Sequence, residues 1–226
     1  MKNILKALLP GYPAAVIDTL AEFGEALLEK NKVMNLTAIR EPAAVAELHF
    51  LDCLSLLDVV ELRGKSVLDV GCGAGFPGVP LKIAEPSLSL TLLDSTEKRM
   101  AWLRETLPPL GVEAAVVTAR AEDYAADHRE QYDVVVSRAV ARLNILAELC
   151  LPLVKPGGIF VAMKGARVAE ELEQAQSAIS ELGGRAERVA DYPVGDATHY
   201  AVVIAKTAPT PPRYPRAYAK IKQSPL

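Results

Sequence analysis

Cysteine is scarce: the 226 residues hold three, Cys53, Cys72 and Cys150. They are far apart, odd in number and show no C-x-x-C, which argues against a disulfide framework or a zinc ligand set and fits a reducing cytoplasm. Aromatic residues make up only 5% of a chain that is 50% hydrophobic. No run of 18 apolar residues is free of charge, so no transmembrane helix is expected. The opening MKNILKALLP has a short apolar patch but neither an h-region nor a small-residue cleavage site, so no signal peptide is expected. Three histidines, His49, His128 and His199, share no ligand spacing, and no metal is expected. His128, between Asp127 and Arg129, is expected to be exposed, and His49 to be hydrogen-bonded between a helical layer and a sheet.

Acidic residues are missing from the last stretch. Lys206, Arg213, Arg216, Lys220 and Lys222 are five of the 25 basic residues, and none of the 28 acidic ones lies beyond Lys206. The body is left with 20 basic against 28 acidic residues, a net −8, beside a tail of +5. Such asymmetry points to an acidic partner, although a solvated Pro-rich end explains it equally well.

The remaining pattern is regular. Residues 1–62 carry helical spacings, with Ile17, Leu20, Phe23 and Leu27 on one stripe and Pro13 suited to a first turn. A second helix is predicted from Pro42 to Val60. From Ser66 the chain alternates. Apolar strands are predicted at 66–70, 90–94, 114–118, 132–137 and 159–164, with helices between them at 79–84, 96–107, 122–129 and 143–153. That order means βαβ units and a parallel sheet covered on both faces. A last helix, 168–182, stops at Gly183-Gly184, and two further strands, 186–192 and 200–205, form an antiparallel pair. The predicted fold is therefore α/β and Rossmann-like: seven strands, mostly parallel, preceded by a helical extension. Residues 1–62, 63–206 and 207–226 divide into extension, ligand-binding domain and basic Pro-rich tail.

The strongest motif is Gly71-Cys72-Gly73-Ala74-Gly75-Phe76-Pro77-Gly78, which leaves the first strand and opens a helix. Glycines there let the backbone turn and approach a ligand. Gly73, Gly75 and Gly78 also spell the dinucleotide fingerprint, and Asp94 stands where a ribose-binding acid would sit. A carboxylate can accept from both hydroxyls of a ribose in either cofactor class, so Asp94 does not separate them. Asp69 does: a carboxylate at the loop's entry favours the cationic end of S-adenosylmethionine over a pyrophosphate. The chain also lacks the second substrate domain of a dehydrogenase. After the third strand, Ala121 and Glu122 stand where an adenine edge would lie, or serve only as a helix start. Arg138, always charged, cannot be a base. It is expected to bind the cofactor carboxylate, a phosphate or a guanine oxygen, unless a nearby carboxylate satisfies it. Lys98, Arg99 and Lys164 are candidate phosphate contacts, with solvated surface charge as the plain alternative. Trp102 is expected to be packing.

Several segments carry a family resemblance. Asn35 to Ile39, His49 to Leu54, Gly71 to Gly78 with Phe76-Pro77, Leu92 to Ser95, Val136 to Ala139, Met163 to Gly165 and the tail from Tyr214 to Leu226 follow in order. Together they resemble the bacterial small-subunit ribosomal RNA guanine-N7 methyltransferases, the RsmG or GidB family. The resemblance implies a class I methyltransferase fold, S-adenosylmethionine as cofactor and a guanine in the 530 loop of 16S rRNA or of the small ribosomal subunit as substrate; a cytoplasmic monomer is expected. It places cofactor contacts at Gly71, Phe76, Ala121, Glu122 and Arg138, beside Asp69, Gly73, Gly75 and Asp94 from the loop argument. A small-molecule or protein methyltransferase and a noncatalytic RNA-binding protein are the competing readings. The tail departs from the family at Ala217, Tyr218 and Ala219, where a denser basic run is usual.

Guanine N7 has a free in-plane lone pair and loses no proton on methylation, so no catalytic base is expected. Arg216, Lys220 and Lys222 are expected to meet RNA phosphates. Truncation after Thr207 is expected to spare cofactor binding and flatten the salt dependence of RNA affinity. Tyr214 and Tyr218 either stack on bases or pack back on the body.

Overall fold

A computed structural model describes residues 1–226. Strands β1 (Ser66–Val70), β2 (Ser89–Asp94), β3 (Ala115–Thr118), β4 (Tyr132–Arg138), β5 (Val154–Lys164), β6 (Gly184–Val194) and β7 (Ala197–Lys206) build one sheet. Its order is β3-β2-β1-β4-β5-β7-β6. The pairs from β3 to β5 are parallel, and β7 runs antiparallel to both β5 and β6. Because β1 lies between β2 and β4, the winding reverses there. The carboxyl ends of β1 and β4 therefore flank the crevice in which such sheets bind ligands.

Helices α1 (Lys2–Leu8), α2 (Ala14–Met34), α3 (Pro42–Val45), α4 (Asp52–Leu54), α5 (Leu56–Val59), α6 (Gly78–Ala84) and α7 (Glu97–Thr106) pack on one face. Helices α8 (Ala121–Asp127), α9 (Leu143–Cys150), α10 (Val168–Glu181) and α11 (Tyr218–Gln223) cover the other. Strand alternation explains the two cores. In β5, Phe160 and Ala162 face the second group while Val161 and Met163 face the first. In α2, Ile17, Leu20, Phe23 and Leu27 are buried at helical spacing, and the helix ends at Asn35 in the left-handed region. Trp102 packs on Phe23, their ring centroids 5.8 Å apart, as expected of a core residue. No helix is long and apolar enough to cross a membrane.

Four details differ from the sequence reading. Pro13 stands at the N-cap of α2, not inside it. The predicted helix over 42–60 is interrupted by a π-helical turn, Ala46–Leu51, an insertion that widens the helix and recurs at functional sites. Strand β5 starts earlier, at Val154, because the Lys155–Gly158 turn lies within a register shift against β4. His128 is half-buried, stacked on the Tyr124 ring at 3.8 Å, so it is not a free surface residue.

The largest difference is the tail, which is anchored on the body at several points although much of it stays exposed. Tyr214 and Ile221 are buried in the second core, and Lys206 and Thr210 are buried beside it. Arg129 donates to the carbonyls of Tyr214 (2.6 Å), Thr210 (2.5 Å) and Pro211 (3.0 Å). Arg216 closes a two-pronged ion pair on the fully buried Glu148, at 2.8 and 2.6 Å. The segment turns at Pro211–Tyr214, and apolar side chains and the buried Glu148 hold it against the body.

Candidate functional site

The glycine loop shapes the crevice. Gly71 and Gly73 lie at φ +71° and +57°, the left-handed region that favours glycine. A Cβ on Gly71 would meet Val140 at 2.4 Å, whereas one on Gly73 would meet only Arg99, at 4.0 Å. Gly71 therefore lets the segment after β4 close down, and Gly73 keeps its open side toward the cavity. Gly75 does neither: its Cβ would strike Val79 and Leu103, so it is a packing glycine beneath the loop.

Two carboxylates hold this loop. Asp94, at the end of β2, accepts from Gly73 N–H at 3.0 Å and from Thr96 N–H at 2.8 Å. Asp69, fully buried in β1, accepts from Gly78 N–H at 2.7 Å. Asp69 lines neither of the two cavities beside the loop and reaches it through the Gly78 N–H. Burial pushes its carboxyl up from the ordinary 3.8 to about 7, against the downward pull of the Gly78 hydrogen bond and Arg138. The folded chain thus holds this proton more tightly than the unfolded one. The resulting stabilisation is complete below pH 3.8 and disappears as the pH rises through 7. Wild-type stability should fall over that interval by up to about 4 kcal/mol from this group. Asp69→Asn keeps an acceptor for Gly78 and should flatten the slope in urea melts across pH. An unchanged slope would show that Asp69 does not titrate there.

Two cavities adjoin the loop. One, of about 270 Å³, lies between Asp94, Ala119, Ala121, Glu122 and Tyr218. The other, of about 260 Å³, lies between Leu36, Thr37, Gly73 and Phe76. Both are bounded by Gly71, Arg99 and Ala139. Each falls below the ~300 Å³ of an ordinary ligand pocket, so an extended ligand would use both as joined lobes. Arg99, expected at the RNA surface, belongs to this cavity and stands 3.9 Å from Asp94. Phe76 touches the second lobe but is mainly core, stacked on His49 with centroids 4.5 Å apart.

Beyond Ala139 and Val140 opens a third cavity, of about 660 Å³. Four basic side chains line it, Arg138, Arg142, Lys164 and Arg167, against the acids Asp52 and Glu171. Ala139 is held at φ +56°, a strained conformation for a residue with a Cβ, at the junction of all three cavities.

Arg138 is not free. It donates to Asp52 Oδ2 at 2.8 Å, to Leu48 O at 3.0 Å and to His49 Nδ1 at 2.9 Å. The nearby carboxylate that would satisfy it is therefore present. Because His49 Nδ1 accepts, its Nε2 carries the proton and donates to Thr37 Oγ1 at 2.9 Å. Burial, reinforced by the Arg138 charge, lowers the His49 pKa to about 4, consistent with a neutral ring. Asp52 also accepts from His199 Nδ1 at 2.9 Å and from Tyr192 at 3.3 Å. One carboxylate on α4 thus ties the helical extension to β4, β6 and β7. His49 plays the bridging role expected of it.

Among the other expected RNA contacts, Lys164 is spent on Glu171 (2.8 Å) and Ala141 O (2.7 Å). Arg216 is neutralised by Glu148. Lys98, Lys220 and Lys222 are exposed and make no ion pair. Sequence reasoning missed Asp52, His199, Arg142 and Arg167. The last two are exposed, unpaired, and immediately follow the turns after β4 and β5. The rule that ligands bind at strand carboxyl ends pointed to both.

Comparison with known proteins agrees with this architecture. A family model described as rRNA small subunit methyltransferase G matches residues 16–196. A ribosomal RNA small subunit methyltransferase G of Alkaliphilus oremlandii is 45% identical over 236 residues, covering 100% of this chain and 99% of that protein. One from Pelotomaculum thermopropionicum is 47% identical over 211 residues, covering 91% and 88%. Among solved structures, a SAM-dependent methyltransferase from Aquifex aeolicus aligns with a TM-score of 0.55 at 20% identity, over 73% of this chain and 93% of that one. TrmN from Thermus thermophilus aligns at 0.54 and 21%, over 68% and 48%. These two likenesses show the class I methyltransferase fold, and the full-length relatives show the family: the chain belongs to the rRNA small subunit methyltransferase G family.

Proposed function

We propose that the chain transfers a methyl group from S-adenosylmethionine to N7 of a guanine in the 530 loop of 16S rRNA, in the cytoplasm. The observation that carries this reading is the adjacency of a pair of cavities at the glycine loop to a larger basic cavity, all three sharing Ala139 as a lining residue. The donor set fits the cofactor. The lobe with Asp94, Ala121 and Glu122 offers acceptors to an adenosine. The lobe bounded by Thr37, Gly73 and Arg99 offers donors to an amino-acid carboxylate. When bound there, the cofactor supplies an electrophilic methyl on a sulfonium.

The chain's own residues position and exclude. Asp94 fixes the loop and keeps lone pairs for ribose hydroxyls. Val140 and strained Ala139 form the partition across which the target base must approach. Arg142 and Arg167, with Lys98, Lys220 and Lys222, offer unpaired positive charge to phosphates while the body is acidic overall. No side chain is needed to remove a proton from N7. Asp52, already accepting three hydrogen bonds, orients Arg138, which lines both the base cavity and the lobe with Thr37 and Gly73. Catalysis thus rests on orientation and desolvation. In this reading residues 1–62 contribute the base-side network, 63–206 the cofactor cavity and 207–226 a clasp.

Small-subunit rRNA and particles from a strain lacking the enzyme, treated with it and S-adenosylmethionine, should yield 7-methylguanosine by nucleoside mass spectrometry. A product methylated on an exocyclic amine would overturn the mechanism. In calorimetry, Asp94→Ala should weaken S-adenosylmethionine by about 1–3 kcal/mol. Unchanged affinity would remove Asp94 from the site.

A further inference from the structure

The C-terminal tail supplies one wall of the cavity in which the adenosine is proposed to sit. Tyr218, first residue of α11, lines the lobe that contains Asp94, Ala121 and Glu122. Its ring is half-buried and lies under the Arg120 guanidinium, 4.2 Å from ring centroid to Cζ. Arg120 is in turn held by Glu122 at 3.2 Å and Ser95 at 3.5 Å. Both of those partners also border the lobe.

The position of Tyr218 is fixed from both sides. Just before it, Arg216 is locked onto buried Glu148. Just after it, Ile221 is wholly buried in the second core, and the chain end reaches Asn144. A tail clamped at these points presents the tyrosine as a rigid surface, so little entropy is lost when a ligand meets it. The rest of the lobe is small or apolar at Ala119, Ala121, Val140 and Leu149, a lining suited to a flat heterocycle.

We infer that Tyr218, backed by Arg120, closes the adenosine lobe and sets cofactor affinity, making the tail part of the cofactor site. This rests on the assignment of that lobe to S-adenosylmethionine. It reverses the expectation that the tail can be removed without cost to cofactor binding. Losing an aromatic contact with a base weakens binding by a measurable factor. A tenfold change in affinity is the expected scale.

The test uses the full-length protein and calorimetric titration with S-adenosylhomocysteine and S-adenosylmethionine, with ligand-free Tm recorded for every variant. Tyr218→Phe keeps the ring and should bind within about twofold of wild type. Tyr218→Ala should bind about tenfold more weakly. If alanine also lowers the ligand-free Tm, Tyr218→Leu decides, because it keeps apolar contact with the body and loses only the π face. A leucine variant as weak as alanine supports the inference. Wild-type affinity in the alanine variant with unchanged Tm, or in the leucine variant, overturns it. A wild-type protein that binds neither ligand would overturn the assignment of the lobe, and this inference with it. Binding by wild type undiminished in the variants overturns the inference alone.

Discussion

Arg216→Ala will destabilise the protein by about 3–5 kcal/mol and leave the salt dependence of RNA binding almost unchanged. The Glu148 carboxylate is fully buried in α9 and accepts from Arg216 three times, from its backbone N–H at 2.9 Å and its guanidinium at 2.8 and 2.6 Å. Alanine removes the charge and both side-chain donors, and Glu148 stays buried with one backbone hydrogen bond. Arg216→Lys restores charge but not the fork, and should recover only part of the loss. Urea unfolding at pH 7 reads both. The guanidinium's charge is already neutralised, so its removal should not flatten the log-affinity against log-salt slope by the roughly 0.7 expected per single-stranded phosphate contact. Near wild-type stability together with a slope flattened by that amount would return Arg216 to the RNA surface. Truncation after Thr207 removes this pair, buried Tyr214 and Ile221, and the Tyr218 wall at once. It should therefore cost both stability and cofactor affinity.

Strands β1 to β4 were legible because they are short, mostly apolar runs separated by helical periods, a pattern that two covered faces impose. Loop and Asp94 were legible because glycines at positive φ and an acid one strand away leave local marks. Long-range pairings leave fewer. Asp52 and Arg138 are 86 residues apart, and neither predicts the other. A trace of each buried pair was nonetheless present. His49 and Asp52 stand among the apolar Leu48, Phe50, Leu51, Cys53 and Leu54, and Glu148 is the lone acid of apolar α9. A charge in such a place needs a partner, because burying it alone costs far more than a helix gains. Part of the tail's positive charge has partners inside the fold: Arg216 and Lys206 pair with the buried or half-buried acids Glu148 and Glu130. Neutralisation within the fold, not attraction to a polyanion, explains that part of the asymmetry.

Asp52→Ala is expected to have the largest effect on the reaction. Asp52 is the only ion-pair partner of Arg138, whose side chain is 14% exposed, and it is the acceptor for His199 and Tyr192. Its removal leaves a nearly buried guanidinium with only the Leu48 carbonyl and the neutral His49 ring. Breaking one side of such a pair costs about 3–5 kcal/mol of stability. Because the network joins α4 to β4, β6 and β7, the helical extension should also lose its register against the base cavity. Asp52→Asn keeps an acceptor for Arg138 at reduced strength and should remain folded, so it isolates the positioning effect. In that variant methylation should fall at least about tenfold, the equivalent of 1.4 kcal/mol at the transition state. S-adenosylhomocysteine affinity should fall less than turnover, since Asp52 itself borders only the base cavity although Arg138 also lines the lobe with Thr37 and Gly73. Single-turnover methylation of the small-subunit substrate beside calorimetric titration separates the two quantities. Equal losses in both would place Asp52 with the cofactor. Wild-type turnover in Asp52→Asn would mean that Arg138 needs no charged partner to hold its place.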